Sequence, residues 1–273
     1  MRSRYSSCLI VAAASVLAAA CQSVDTTQAG VVGVDRQQRM AVSAEQMNAG
    51  AEKAYADMMA EAKAKGVLNK NPAHVERVRA IAKRLIPQTA AFRQDAPAWK
   101  WEVNVLELKD VNAWAMPGGK MAVYSGLIEN LKVSDDELAA VMGHEMAHAL
   151  REHGRERASR AVTQGMALGV LGAITGVSGS VLDLSKMALD VTLNLPNSRT
   201  HETEADRIGV ELAARAGYDP SAAITLWEKM QKGSGGQPPK FLSTHPSHED
   251  RINDLREYSA RVMPLYQQAV AKR

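Results

Sequence analysis

Two histidines four positions apart, His144 and His148, constrain this chain more than any other feature, because the stretch they interrupt is otherwise apolar. Positions i and i+4 of an α-helix point the same way one turn apart, so both imidazoles can reach a single ion. Glu145 lies about 100° around the same helix, beside such an ion rather than on it. From there it can take a proton from a water that the ion activates. From Leu138 to Leu150 the chain reads LAAVMGHEMAHAL, and every residue besides these three is Leu, Ala, Val, Met or Gly. A helix that is apolar all round is a buried helix. Burying three polar side chains without partners would cost roughly 1–3 kcal/mol for each neutral group and more for a charge, and metal coordination removes that objection. The competing reading is a chance HExxH on a core helix. Ser134-Asp135-Asp136-Glu137 supplies a capping box with acidic residues on the first turn, and Gly154 is expected to stop the helix.

Two histidines leave a tetrahedral zinc short of a protein ligand, since catalytic sites generally use three and keep one position open. His153 is nearest, but on a continuing helix it lies about 180° from His144 and faces away, which predicts a surface or second-layer position. The longer HExxHxxGxxH pattern fails, because its glycine falls at Arg151 and its last histidine at Gly154. The segment Ser198 to Gly209, SRTHETEADRIG, offers two glutamates. Glu202 shares a helical stripe with Ala205, Asp206, Gly209, Ala213 and Ala216, small residues apart from the acids, and that stripe can approach another helix closely. Glu204 lies with Arg207, Glu211 and Arg215, an alternation of charge that marks a solvated face. Glu202 is therefore expected inward as the third ligand, and Glu204 outward. Asp206, one turn beyond Glu202, is placed to orient a ligand histidine through its free ring nitrogen. Buried acids paired with basic residues are the plain alternative for both.

HEMAH, then SRTHETEADRIG, then STHP, in that order, closely resemble the HtpX-like and prenyl-protease-like zinc metallopeptidases, and within them the soluble lipoproteins of the bacterial envelope. The resemblance runs from about Asn112 to about Tyr258. It implies that His144, His148 and Glu202 hold zinc and that Glu145 is the catalytic base, the same set that helical geometry selects. Asn112 to Gly119 resembles the stretch that precedes the active-site helix in that family. The segment has a reading of its own as well. Trp99 to Leu108 alternates bulky and polar residues and Met121 to Ser125 is β-favouring, with Pro117-Gly118-Gly119 as a turn between strands. An edge strand there, around Asn112 and Trp114, can bind an extended peptide by main-chain hydrogen bonds; Trp114 itself reads as core before it reads as a substrate contact.

Arg2 and Arg4 precede an apolar run from Leu9 to Ala20 that ends before Cys21. The run is too short to span a bilayer and reads as a signal peptide over residues 1–20. The chain has two cysteines, Cys8 and Cys21, so removal of that segment leaves one, at the new N-terminus. This resembles a lipoprotein signal, with Cys21 carrying the lipid. Gln22, the residue after it, resembles the signal for transfer to the outer membrane. Residues 21–43 are small and polar and are expected to be a flexible tether, with the catalytic domain over 44–273. A formal net charge of +3 gives no reason to expect a nucleic-acid partner.

Ala44 to Lys65, Pro72 to Leu85 and Pro220 to Lys232 read as helices, and Ser247 as the start of a last one. Gly165 to Leu182 carries no formal charge and spaces its glycines by three and four residues. It reads either as a membrane-inserted segment or as a packed hairpin covering the site. His245 sits before Pro246 on a loop, where the family match makes it a neighbour of the active site, as an oxyanion donor or as a resting-state zinc ligand; a structural histidine is the third reading. The expectation is an α+β, mostly helical, zincin-like fold with a small β-sheet beside the HExxH helix, holding one zinc ion. Its expected function is cleavage of unfolded or misassembled envelope proteins at the periplasmic face of the outer membrane, with the outer-membrane assembly machinery as a further expected partner. The rival is a non-catalytic, zinc-containing assembly factor or chaperone, against which the intact glutamate of HExxH argues.

Overall fold

The structure, a computed structural model, describes residues 22–175, 183–232, 239–247 and 250–272. The expected signal peptide, Cys21, the linker at 233–238 and the last part of Gly165–Leu182 lie outside the described residues.

The architecture is helical around one three-stranded sheet, with a separate two-stranded ribbon earlier in the chain. Helices α1 (Ala44–Ala64) and α2 (Pro72–Leu85) lead into strand β3 (Glu102–Leu106), the hairpin β4 (Ala113–Met116) and β5 (Lys120–Tyr124), and the short helix α3 (Ser125–Asn130). Helix α4 (Asp135–Leu150) carries both histidines. It is followed by α5 (His153–Thr175), α6 (Leu184–Leu193), α7 (Arg199–Arg215), α8 (Ala222–Lys232), α9 (Phe241–Thr244) and α10 (Arg251–Ala271). The sheet order is β3-β5-β4, with β3 parallel and β4 antiparallel to the central β5, so β4 forms one edge. Gly118 and Gly119, at φ of +80° and +85°, make the turn between β4 and β5 at no steric cost.

Each start has a local cause. Ser43 with Gln46 and Ser134 with Glu137 form capping boxes, and Asn71 caps α2 ahead of Pro72. The period-2 alternation of the strands then divides the core. Val103, Val105, Ala113, Met121 and Val123 join α2, α4, α7 and α8 in the main core. Leu106, Trp114, Met116, Ala122 and Tyr124 face the other way, against α1 and α6.

Two expectations about the backbone require correction. The metal helix does not run to Gly154; it caps at Arg151, and Glu152 adopts φ of +50°, so α5 starts afresh at His153 with a new angular phase. Nor are residues 22–43 a free tether. Strand β1 (Gln22–Val24) pairs antiparallel with β2 (Gln38–Met40), and Val32 and Val34 enter the main core. Thr27 accepts a hydrogen bond from the buried Arg151, and Gln38 donates to the Arg151 carbonyl. The small polar residues that suggested a linker are partners for buried groups, which makes this segment a strap over α4, α5 and α7. Among the described residues, no helix is long and apolar enough to cross a membrane.

Candidate metal centre

Helix α4 is buried along nearly its whole length and points His144 and His148 at α7. The two helices meet at glycines: a β-carbon on Gly143 would stand 2.8 Å from the Gly209 carbonyl oxygen. That closeness brings Glu202 to the histidines. Its Oε1 lies 3.4 Å from His148 Nε2 and its Oε2 3.6 Å from His144 Nε2, while the two Nε2 atoms are 3.1 Å apart. His144, His148, Glu202 and His245 together form a buried group able to hold a metal ion.

The donor set fits such an ion. Each ligand histidine spends its Nδ1 on another residue, His144 on Asp206 at 2.9 Å and His148 on His153 at 2.8 Å. With a proton on each Nδ1, two Nε2 lone pairs face one another, a repulsive contact unless a cation lies between them. Neither oxygen of Glu202 has a hydrogen-bond partner although the side chain is fully buried. Burial opposes the charge on Glu202; the imidazoles of His245 and His144, in so far as they are protonated, and above all the permanently charged Arg251 outweigh it and hold the carboxyl below its usual range. Two imidazoles and a carboxylate form a set that zinc takes readily.

Glu145 stands beside this group. Its Oε2 accepts a hydrogen bond from the Ala115 amide of the edge strand β4 at 3.2 Å, and its Oε1 is 3.3 Å from His245 Nε2. Burial, reinforced by the charge of Glu202, pushes the Glu145 carboxyl well above the usual carboxylate range in the metal-free protein. Burial also keeps His148 and His245 neutral, far below the ordinary histidine value. His245 lies flat on Phe241, with centroids 4.0 Å apart, and its Nδ1 faces Thr244 Oγ1 and the Phe241 carbonyl, which turns its Nε2 inward.

The structure thus brings together His144, Glu145, His148, Glu202, Asp206 and His245. Asn112 and Trp114 do not join them through their side chains. Asn112 turns its Oδ1 back onto the Ala113 amide, and Trp114 packs edge-to-face on Tyr55 across the sheet from α4. Only the backbone of β4 passes the site.

Glu204 requires the plainest correction. It is buried and paired with Arg36, Arg151 and His153, because the strap covers the face of α7 that its charge pattern made look solvated. Glu211 is buried on the same face and accepts the Val32 amide. His153 is wholly buried behind His148, in the second layer.

Sequence reasoning missed Arg251. It donates to Asp206 Oδ1 at 2.7 Å, stands 2.9 Å from Glu202 Oε2 out of line for a hydrogen bond, and stacks 3.2 Å over Trp227. Three clustered acids called for a cation, but nothing in its spacing singled it out. Arg157 was missed as well; burial brings its guanidinium down to about 10 beside Glu202 and Glu145.

Residues 72–259, more than half of the chain, match peptidase family M48. A mitochondrial metalloendopeptidase OMA1 of Schizosaccharomyces pombe is 40% identical over 161 residues, covering 58% of this chain and 47% of that protein. A Vibrio cholerae protein named for enhancing beta-barrel assembly as a protease is 34% identical over 166 residues, 58% of this chain and 34% of its own. The metalloprotease YcaL of Escherichia coli is 27% identical over 262 residues, 91% of this chain and 95% of YcaL. The chain spans about half or less of the OMA1 proteins of fission yeast, budding yeast and Arabidopsis thaliana that it matches. With the family pattern running from α2 into α10 and so across both helices of the metal centre, this chain belongs to peptidase family M48.

Proposed function

We propose that the protein is a zinc-dependent endopeptidase of the bacterial cell envelope that cuts unfolded or misassembled envelope proteins. The observation that carries the reading is the convergence of the His144 and His148 Nε2 atoms on a buried Glu202 carboxylate that accepts no hydrogen bond, with Glu145 alongside. His144, His148 and Glu202 would hold zinc, which when bound polarises the scissile carbonyl and acidifies the attacking water. Glu145 takes the proton from that water and passes it to the leaving amine. The edge of β4 runs past Glu145 through Ala115, so an extended peptide adding to that edge is brought to the base by main-chain hydrogen bonds. That mode tolerates many side chains, and strict preference at several subsites in a peptide library would count against it.

His245 completes the buried donor group, which favours a resting-state ligand over an oxyanion donor. The space beside Glu145, His148 and His245 is only about 20 Å³, enough for a water and far too small for a peptide. Lining it are also Arg157, Thr192 and Asn197, so α6 and the loop after it have to give way for substrate. The sequence of residues 1–21 supports a lipid on Cys21 and a place at the periplasmic face of the outer membrane. The name of YcaL supports the protease reading, and that of the Vibrio cholerae protein supports a link to beta-barrel assembly.

The rival, a non-catalytic assembly factor, has no use for a carboxylate placed like Glu145. Casein digestion by the purified mature chain separates the two. Cleavage that a chelator abolishes and zinc restores is the expected result; casein left intact by zinc-loaded protein contradicts the catalytic reading.

A further inference from the structure

The two ligand histidines are held in unlike ways. His144 meets a carboxylate directly, Asp206, whereas His148 Nδ1 meets another imidazole, His153 Nδ1, at 2.8 Å. If His148 presents Nε2 to the metal, its proton lies on Nδ1 and is donated to His153 Nδ1. His153 then carries its own proton on Nε2, which faces Glu204 Oε2 at 3.0 Å. Every donor in this line has an acceptor, and the tautomer of each ring is set by the next group.

The line ends on the strap. Arg36 donates to both oxygens of Glu204, Nε to Oε1 at 2.6 Å and Nη2 to Oε2 at 3.2 Å, and holds Glu156 on α5 as well. Arg151, at the end of the metal helix, donates to Glu204 from the other side. Beneath the line, the His201 ring stacks on His153 with centroids 4.3 Å apart and turns its Nε2 to Glu156. A histidine and a carboxylate this deeply buried, each with its partners in line, form a built relay.

We infer that His153, Glu204 and Arg36 are positioning residues for the metal ligand His148, and that the strap at residues 25–40 thereby sets how tightly the centre holds zinc. The inference rests on the metal reading of His144, His148 and Glu202. Its consequence is specific: a change at the strap, on the far side of α7 from the cleft, reaches the metal through four side chains without touching a ligand.

The test is the zinc dissociation constant of the mature chain, measured by competition with a chromogenic chelator, beside the melting temperature of the metal-free protein. His153→Phe leaves the His148 Nδ1 proton without an acceptor and should weaken zinc by roughly 10–100-fold. His153→Gln, whose amide can both accept and donate, should stay within a few-fold of wild type. Arg36→Gln and Glu204→Gln should weaken zinc several-fold, beyond any shift in metal-free melting. Wild-type affinity in a folded His153→Phe protein overturns the inference, as does an equal loss in the Phe and Gln variants. If His153→Phe does not fold, unchanged affinity in Glu204→Gln overturns it. A wild-type chain that binds no zinc fails differently, since it removes the metal reading itself.

Discussion

Gly143 and Gly209 meet backbone to backbone: a β-carbon on Gly209 would lie 2.8 Å from the His144 amide nitrogen. The metal centre depends on that contact, since it sets the separation of the histidine helix from the glutamate helix. Replacing Gly209 with alanine forces the rods apart and should cost about 1–3 kcal/mol of stability. Zinc affinity should fall with it. Chemical denaturation and chelator competition on the same sample check both, and a Gly209→Ala protein with unchanged values would show that the helices tolerate the added carbon.

Asp206 is the joint between His144 and Arg251, accepting from both. Asp206→Asn keeps the shape but leaves the buried Arg251 charge with less compensation and His144 with a weaker acceptor. Zinc affinity should drop by roughly 10–100-fold. Calorimetric titration with zinc measures it, and wild-type affinity would show that Asp206 is a structural acid only.

For His245, the position of Nε2 between Glu145 and the ligand group predicts that His245→Ala raises basal casein cleavage. A fall in turnover at unchanged zinc content would assign the residue to oxyanion stabilisation instead. Unchanged activity would remove it from both roles.

The strap should release in acid. Burial by itself would raise the Glu156 carboxyl, but hydrogen bonds from Arg36, His201 and Gln38 outweigh it and hold the group well below the usual range. A lowered folded value means that its stabilisation is complete above the ordinary value of 4.5 and is lost as the pH falls below it towards the folded value. The melting temperature should therefore drop steeply below about pH 4.5, and less steeply in Glu156→Gln. That variant should also lose about 1–3 kcal/mol at pH 7. Parallel wild-type and variant curves across that range would contradict the assignment.

What could be read from the sequence was mainly what is local. The capping box at Ser134, the i, i+4 spacing of His144 and His148, and the small-residue stripe from Glu202 to Gly209 each depend on neighbours within two turns, and each stands in the structure. Glu204 and Glu211 were misread because their periodicity matches a solvated face, and what covers it comes from afar: a segment more than 160 residues earlier and, over Glu204, Arg151 and His153 as well. His153 stands in the second layer, one of the two positions expected of it, but the angle counted from His144 does not hold, because the positive φ at Glu152 restarts the helix. Arg251 is distant in sequence from the two acids it meets, and no periodicity marks it.

The proposed chemistry makes Glu145 a base beside a zinc ion it does not hold. Zinc content and casein cleavage, measured together on wild type, Glu145→Gln and His148→Ala, test it most directly. One zinc per chain with cleavage is expected in wild type, zinc without cleavage in Glu145→Gln, and neither in His148→Ala. Cleavage retained by the Glu145→Gln protein would contradict it.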